Sequence, residues 1–218
     1  MLSVVIPALN AAETLPATIV SVRRADEILV ADGGSTDATA TVAQREGARV
    51  WRSPRGRGLQ LHAGASAARG DWLLFVHADT ILGPQWREAA DRHMREHGKK
   101  AACLHLRLDS DAWQARLVEI GVALRVRIFG LPYGDQGLLI SRELYDRIGG
   151  FRPIPLMEDV DLVRRLGRSR IAILAACATT SAERWKRNGW LSRSARNLAC
   201  LLLFSLGASP RRIARLYG

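Results

Sequence analysis

A glycine-rich acidic segment follows the apolar run Glu27 to Ala31. It reads Asp-Gly-Gly-Ser-Thr-Asp over positions 32–37. Glycines permit tight backbone turns, and a residue directly after a buried parallel strand lies at the carboxyl edge of the sheet, where ligands bind. The segment therefore predicts a ligand-binding loop with Asp32 as a contact. The alternative is that Ser35, Thr36 or Asp37 only caps the next helix, and the two roles are compatible.

A second polar segment, His77-Ala78-Asp79, follows the apolar run Trp72 to Val76. Residues two positions apart in an extended chain point to the same side. His77 and Asp79 could therefore hold a divalent cation together with the oxygens of a diphosphate, as Mg²⁺ is commonly held. The alternative is that Asp79 only forms a turn after the strand.

Two cations lie in a flexible segment, Arg55-Gly56-Arg57-Gly58. Such a loop could fold over phosphate groups. It is neither a Walker A loop, because no Gly-Lys-Ser/Thr follows, nor a GxGxxG loop, because position 61 is Leu. The alternative is that both arginines are solvated.

Two further acidic clusters occur in the second half of the chain. Tyr133 to Gly137 (YGDQG) leads into a strand, and Met157 to Asp161 (MEDVD) opens a helix. Carboxylates at a helix start suit the helix dipole and are usually structural. A crowded or buried pair can nevertheless raise the pKa of one member enough to make it a general base.

Short apolar runs alternate with helical patterns through the first hundred residues, which predicts an α/β fold. Near-continuous apolar strands separated by helices are typical of a mainly parallel central sheet with helices on both faces. The predicted strands are 3–7, 27–31, 48–52, 72–76, 102–108, 137–141 and 171–175, and the predicted helices lie around 15–22, 42–43, 60–69, 86–96, 113–128 and 158–168.

The helix predicted over 113–128 is strongly apolar. Trp113, Leu117, Ile120, Leu124 and Ile128 recur in it at helical spacing. We interpret it as a helix packed on the domain, with a docking surface as the alternative.

The composition is that of an ordinary folded protein with excess positive charge. Of 218 residues, 48% are hydrophobic and 24% charged, which excludes disorder and coiled coil. The 32 Lys and Arg against 21 Asp and Glu leave a net charge of +11, which indicates an anionic partner: nucleic acid, an acidic membrane surface or a phosphorylated small molecule.

Cysteine usage and the N-terminus predict a cytoplasmic protein. The three cysteines contain no CxxC pair, so neither a disulfide framework nor a zinc site is indicated. The first residues lack the basic region of a secretory signal. The longest apolar run, Leu198 to Leu206, is far shorter than the roughly 20 residues of a membrane-spanning helix.

The end of the chain, 184–218, differs in charge from the domain predicted over 1–183. It contains eight basic residues and no acid, and Leu191, Ala195, Leu198, Leu202 and Leu206 share one helical face. A basic amphipathic helix is typical of binding at an anionic lipid surface; the alternative is a helix packed on the domain. Nucleic acid is not a predicted partner, because this charge accompanies aliphatic residues rather than a recognised nucleic-acid motif.

Taken in chain order, five segments resemble the family 2 glycosyltransferases of the GT-A fold. The resemblance covers nearly the whole chain and is closest to a subgroup of small glycosyltransferase family 2-like transferases. The family's Pro-x-x-Asn appears as Pro7 to Asn10, its nucleoside loop as 32–37, its Gly-Lys-Gly as Gly56-Arg57-Gly58, its Asp-x-Asp as His77-Ala78-Asp79 and its Glu-Asp as Glu158-Asp159.

The resemblance implies a Rossmann-like nucleotide-diphospho-sugar transferase fold. It also implies inverting transfer of one sugar from a nucleotide-sugar to an acceptor hydroxyl, assisted by Mg²⁺ or Mn²⁺. Residue by residue, Pro7, Asn10 and Asp32 would contact the nucleoside, Arg57 the base or diphosphate, and Gly134 and Asp135 the donor; Asp79 with His77 would bind the metal, and Asp159 beside Glu158 would deprotonate the acceptor.

Two alternatives of the same fold are a nucleotidyltransferase and a non-catalytic nucleotide-sugar-binding protein. The N-terminal signature that a nucleotidyltransferase would resemble is a glycine-rich loop directly after the first strand, with a lysine nearby. Residues 7–15 (PALNAAETL) contain neither the loop nor the lysine. Arg184-Trp185 matches the end of the Gln-x-x-Arg-Trp signature of processive members, but Ser181 stands at the Gln position. A single transfer is therefore expected, with a lipid-linked acceptor at the inner face of the membrane as one candidate.

Overall fold

The computed structural model describes residues 1–217, and each element predicted in the first hundred residues is present in it. The chain runs through β1 (Leu2–Ala8), α1 (Leu15–Ser21), β2 (Glu27–Asp32), α2 (Thr39–Arg45), β3 (Arg49–Arg52), α3 (Arg57–Ala67), β4 (Trp72–Phe75), β5 (Thr80–Leu82) and α4 (Trp86–Glu96). The sequence pattern does not reveal β5, because three residues carry too little periodicity.

The second half contributes three more strands and six more helices to the described residues. These are β6 (Ala101–Asp109), α5 (Trp113–Phe129), β7 (Leu138–Ser141), α6 (Arg142–Arg147), α7 (Glu158–Leu166), β8 (Ile171–Ser181), α8 (Glu183–Asn188), α9 (Trp190–Ser205) and α10 (Pro210–Tyr217), with short 3₁₀ turns at Gly134–Gln136 and Arg168–Arg170.

The eight strands form one sheet in the order β3-β2-β1-β4-β7-β6-β8-β5. β3, β2, β1 and β4 are parallel, as predicted, so the carboxyl ends of β1, β2 and β4 meet at one edge. The rest of the sheet is mixed: β7 runs antiparallel to β4 and β6, and β5 antiparallel to β8. After α5 the chain re-enters the sheet at this same carboxyl edge, where Leu138 pairs with Phe75. This entry brings the turn Gly134–Gln136 to the ligand edge.

The sheet is buried on both faces, which explains its near-continuous apolar strands. On one face Val4 and Ile6 pack with α1 and α4, and on the other Val5 packs with α3. Helix α3 lies very close to the sheet at Gly64, where a Cβ atom would come within 2.5 Å of the Val5 side chain.

The apolar face of α5 is not packed on the domain, contrary to the sequence-based interpretation. Val122 and Val126 are buried against β6, whereas the row from Trp113 to Ile128 is exposed. In the C-terminal segment, Cys200 of α9 packs on Met157 and Val160, while the predicted leucine face points to solvent. Among residues 1–217 no helix is long and apolar enough to cross a membrane.

Candidate active site

The loop after β2 is tied to the loop after β1 by side-chain hydrogen bonds. Asp32 accepts hydrogen bonds from the Ser35 hydroxyl (2.5 Å) and the Ser35 backbone N–H (3.2 Å). The Asn10 backbone N–H donates to Ser35 Oγ (2.9 Å), and the Asn10 side-chain oxygen accepts from Thr36 N–H (2.9 Å). Pro7 lies in β1, in register with Ala31. The structure thus brings Pro7, Asn10 and Asp32 to one edge.

Asp37, which precedes the N-cap residue Ala38, hydrogen-bonds the first residue of α2. Its carboxylate accepts hydrogen bonds from the Thr39 backbone N–H (2.9 Å) and Thr39 hydroxyl (2.5 Å) at the start of α2, while Ser35 and Thr36 contact Asp32 and Asn10. The binding and capping interpretations of this segment therefore apply to different residues.

A buried amide that sequence reasoning missed supports the same loops. Gln60 of α3 donates hydrogen bonds to the carbonyl oxygens of Ala8 (2.6 Å) and Ala31 (3.0 Å), where β1 and β2 end. A Cβ atom at Gly33 would lie 2.9 Å from the Gln60 side chain. A side chain at position 33 would therefore displace Gln60 from its hydrogen bonds, which explains the glycine there. A lone Gln in an Ala-rich helix gave no signal of this role.

A polar cavity of about 130 Å³ lies beside these loops. Its walls combine the end of β4, the turn before β7 and the start of α7 with side chains from the C-terminal segment. The predicted site residues that line it are Arg57, His77, Asp79, Gly134, Asp135 and Asp159; Arg184, Trp185 and Arg193 line it as well. Five separate segments of the sequence therefore converge on one cavity.

Asp159 is held by two backbone amides at the floor of this cavity. Its Oδ2 accepts a hydrogen bond from Gly134 N–H (2.8 Å) and its Oδ1 from Val160 N–H (2.8 Å). A Cβ atom at Gly134 would lie 2.5 Å from His77 Nε2 and 3.5 Å from Asp159 Oδ2. Position 134 therefore requires glycine so that the turn, the imidazole and the carboxylate can meet.

Glu158 does not line this cavity and forms an ion pair with Arg57. Arg57 Nε donates to Glu158 Oε1, and the Glu158 side chain is only 1% exposed. The residue before the pair, Met157, has a left-handed backbone (φ 67°). Among the described residues the other non-glycine with positive φ is Asn10 (φ 49°). One strained position is therefore a predicted site residue, and the other directly precedes the Glu158-Asp159 pair.

Burial shifts the pKa of three side chains at the site. It lowers the pKa of His77 to about 4, with Arg57 adding to the effect, so the imidazole is neutral at pH 7. It raises the pKa of Asp135 to about 6, against the opposing charge of Arg125. It also raises the pKa of Glu158, an effect that the Arg57 ion pair opposes.

The donor set fits a divalent cation held jointly with a substrate. Asp79 supplies a carboxylate and His77 a neutral imidazole, and both line the cavity. Asp135 Oδ1 is buried without a hydrogen-bond partner in the structure. No three metal-ligating side chains cluster anywhere in residues 1–217. Such a partial shell suits Mg²⁺ or Mn²⁺ completed by diphosphate oxygens, which is how Mg²⁺ is commonly bound.

A mixed α/β sheet with polar loops at the carboxyl edge of its parallel strands and a carboxylate-lined cavity beside them is typical of a nucleotide-binding α/β fold. The chain belongs to glycosyl transferase family 2, whose model matches residues 3–155. The fold and family expected from the sequence are thus confirmed.

Two curated proteins similar to this chain are glycosyltransferases. It is 45% identical over 78 residues to an uncharacterised glycosyltransferase of Mycobacterium bovis, covering 35% of this chain and 36% of the relative. It is 35% identical over 98 residues to a PGL/p-HBAD biosynthesis glycosyltransferase of Mycobacterium tuberculosis, covering 38% and 36%. The matched regions thus span about a third of these relatives.

Solved structures extend the similarity over most of the chain. Glucosyl-3-phosphoglycerate synthase of Mycobacterium tuberculosis, crystallised with Mn²⁺, UDP and glucosyl-3-phosphoglycerate, superposes with a TM-score of 0.61 at 25% identity, covering 83% of this chain and 70% of that one. The same enzyme with Mg²⁺ and UDP gives a TM-score of 0.60.

Proposed function

We propose that this protein transfers a single sugar from a nucleotide-sugar to an acceptor hydroxyl, with a divalent cation and with inversion at the anomeric carbon. The observation that carries the proposal is the convergence of Arg57, Asp79 and Asp159 on one cavity beside the Asp32 loop. The similar enzyme crystallised with UDP-glucose and Mn²⁺ supports a nucleotide-sugar donor.

The loops after β1 and β2 would bind the nucleoside. Asp32 and Asn10 are already oriented by Ser35 and Thr36, so little ordering is needed when the donor binds. Arg57 would contact the diphosphate, and its ion pair with the buried Glu158 holds it at the cavity wall. Gly134 and Asp135 would face the sugar. Glu158 in this proposal positions Arg57.

Asp79 and His77 would hold Mg²⁺ or Mn²⁺. When bound, the cation would offset the charge that grows on the nucleoside diphosphate as the glycosidic bond breaks. Arg57 would add a second positive charge for the same leaving group.

Asp159 would accept the proton of the acceptor hydroxyl. As that O–H bond breaks, the oxygen would form a bond to the anomeric carbon from the face opposite the nucleoside diphosphate, whose bond to that carbon breaks with its electron pair. The product has the inverted configuration. Two backbone N–H donors orient Asp159, which leaves lone pairs on both oxygens for the proton.

We also propose that the segment 184–218 brings the enzyme to the cytoplasmic face of an anionic membrane. Its eight basic residues and exposed leucine face support this placement.

Thermal unfolding with UDP, GDP, ADP and their sugar conjugates, each with and without Mn²⁺, tests the donor class. A ligand present at 100 times its Kd raises the free energy of unfolding by about 2.7 kcal/mol. We expect one nucleoside series to raise the Tm, and to do so more strongly with Mn²⁺. No shift with any of them would contradict the proposed function.

A further inference from the structure

Two helices carry an apolar surface that no part of the described chain covers. Helices α5 and α9 flank an open groove with a volume of about 860 Å³. Trp113 (68% exposed) and Leu117 (57%) line it from α5, and Leu191 (87%) and Leu198 (57%) from α9. Large apolar side chains gathered in one exposed groove mark a binding surface.

The groove opens directly onto the candidate active site. Tyr133, Asp135, Trp185 and Asn197 line both the groove and the polar cavity that contains Asp79 and Asp159. A molecule lying along the groove would therefore have one end at the proposed general base.

The charges along the groove are confined to that junction. Its charged lining residues are Arg125 and Asp135; Asp135 belongs to both spaces, and the Arg125 guanidinium stacks 3.5 Å from the centre of the Tyr133 ring. Arg184 and Arg193, from the segment without acids, line the adjoining wall of the polar cavity. The surface is thus apolar along its length, and its junction and the polar cavity together carry four arginines against three aspartates.

We propose that the acceptor is an anionic amphiphile whose hydrocarbon chain lies in the groove between α5 and α9. This inference rests on the proposed function. The chain would bury the exposed side chains of both helices, the anionic head group would meet the arginines at the junction, and the acceptor hydroxyl beyond it would reach Asp159.

Gly121 offers a way to close the groove without disturbing the core. It lies in α5 and lines the groove, and a Cβ atom added there meets no atom within 4 Å. Gly121→Phe would place a ring in the open space. Ala123→Phe is the matched control, since Ala123 is exposed on the same helix and is absent from the groove lining.

Calorimetric titration with butyl, octyl and decyl phosphate, each below its critical micelle concentration, tests the inference. Each methylene that enters the groove should raise the affinity about fourfold. Gly121→Phe should weaken decyl phosphate at least tenfold, while Ala123→Phe stays within twofold of the wild type. Decyltrimethylammonium, with a chain of equal length, should bind at least tenfold more weakly than decyl phosphate.

Several results would overturn the inference. They are an affinity for alkyl phosphates that does not depend on chain length, an equal loss of decyl phosphate affinity in Gly121→Phe and Ala123→Phe, or equal affinities for decyltrimethylammonium and decyl phosphate. The groove would be a contact between two copies of the chain if the wild type is a dimer that does not bind decyl phosphate and the Gly121→Phe variant is a monomer. Titration with UDP and Mn²⁺ distinguishes this inference from the proposed function. If the protein binds the nucleotide but no alkyl phosphate, only the acceptor site in the groove is refuted. If it binds alkyl phosphates but no nucleotide, the proposed sugar transfer is refuted.

Discussion

Arg57 and Glu158 lie 101 positions apart in the sequence and form an ion pair at the wall of the candidate active site. The pair joins the start of α3 to the start of α7. Glu158 is almost fully buried, whereas Arg57 also reaches the polar cavity. This ion pair therefore contributes to the stability of the fold and also fixes the position of the Arg57 guanidinium, the group proposed to bind the diphosphate.

Removing Arg57 should destabilise the protein more than removing the charge of Glu158. Arg57→Ala leaves a buried carboxylate without its partner, a change that costs about 1–3 kcal/mol because the arginine itself is partly exposed. In Arg57→Ala/Glu158→Gln that cost should largely disappear. Urea unfolding of the two single variants and the double variant measures the coupling, which we expect between about 0.5 and 3 kcal/mol. Additive effects would show that the pair does not operate as a unit.

Asp79→Asn should abolish the metal-dependent part of nucleotide binding. The amide keeps the size of the side chain but removes the charge that would hold the cation against the diphosphate. Calorimetry with UDP should show a gain in affinity from Mn²⁺ in the wild type and none in the variant, with metal-free binding unchanged. If Mn²⁺ still enhances binding in the variant, the metal site lies elsewhere.

The sequence was sufficient to predict which residues lie at the carboxyl edge of the sheet, but not which distant side chains contact one another there. Asp32 and Asp79 each follow an apolar run, and their positions after parallel strands could be predicted from that order alone. The partner of Glu158 could not, because it lies in a distant segment that only the folded chain brings near. The direction of β7 depends on where the chain re-enters the sheet after α5, which periodicity does not encode.

The sequence left the exposure of α5 undecided between packing and a docking surface for a related reason. Helical spacing of Leu117, Ile120 and Leu124 identifies an apolar face but not what covers it. The structure buries Val122 and Val126 instead and leaves that face open.

His93 should make folding stability depend on pH below neutrality. It is 4% exposed in α4, and its Nε2 lies 2.9 Å from the Lys100 carbonyl oxygen. Burial lowers its pKa below the ordinary value of 6.5. As the pH falls through about 6.5 the unfolded chain therefore takes up the proton first, so the free energy of unfolding decreases; above that pH the histidine contributes no slope.

Urea unfolding at pH 7.5 and pH 5.5 measures this dependence. The contribution of His93 to the loss at pH 5.5 is bounded by about 1.4 kcal/mol, the linkage of one proton over one pH unit. His93→Gln should reduce the difference between the two pH values. An unchanged difference in that variant would assign the pH dependence to other groups.

The basic C-terminal segment should bind anionic vesicles. Arg211 and Arg212 are exposed on α10, and each basic residue near an anionic surface contributes about 1 kcal/mol. Arg211→Gln/Arg212→Gln should therefore weaken co-sedimentation with anionic vesicles at low salt. Lys99→Gln/Lys100→Gln is the matched control, an exposed pair of equal charge outside the segment. Equal recovery of wild type with anionic and neutral vesicles would contradict the membrane proposal.

Asp159→Asn should lose transfer while keeping the donor bound. A general base contributes about 10²- to 10⁴-fold in rate, and the asparagine amide cannot take the proton. The proposed donor contacts, Asp32 and Asp79, are untouched by the change. Turnover in the presence of an acceptor, together with calorimetric affinity for UDP and Mn²⁺, separates the two effects.

Two neighbouring carboxylates decide whether this assignment is right. Asp161 accepts hydrogen bonds from Arg152 (3.2 Å) and Arg165 (2.7 Å), so Asp161→Asn should lower stability and leave turnover nearly unchanged. Asp135 is the closer competitor, because it lines the cavity and its buried Oδ1 has no hydrogen-bond partner in the structure. Normal turnover in Asp159→Asn combined with a 10²-fold or greater loss in Asp135→Asn would transfer the role of base to Asp135.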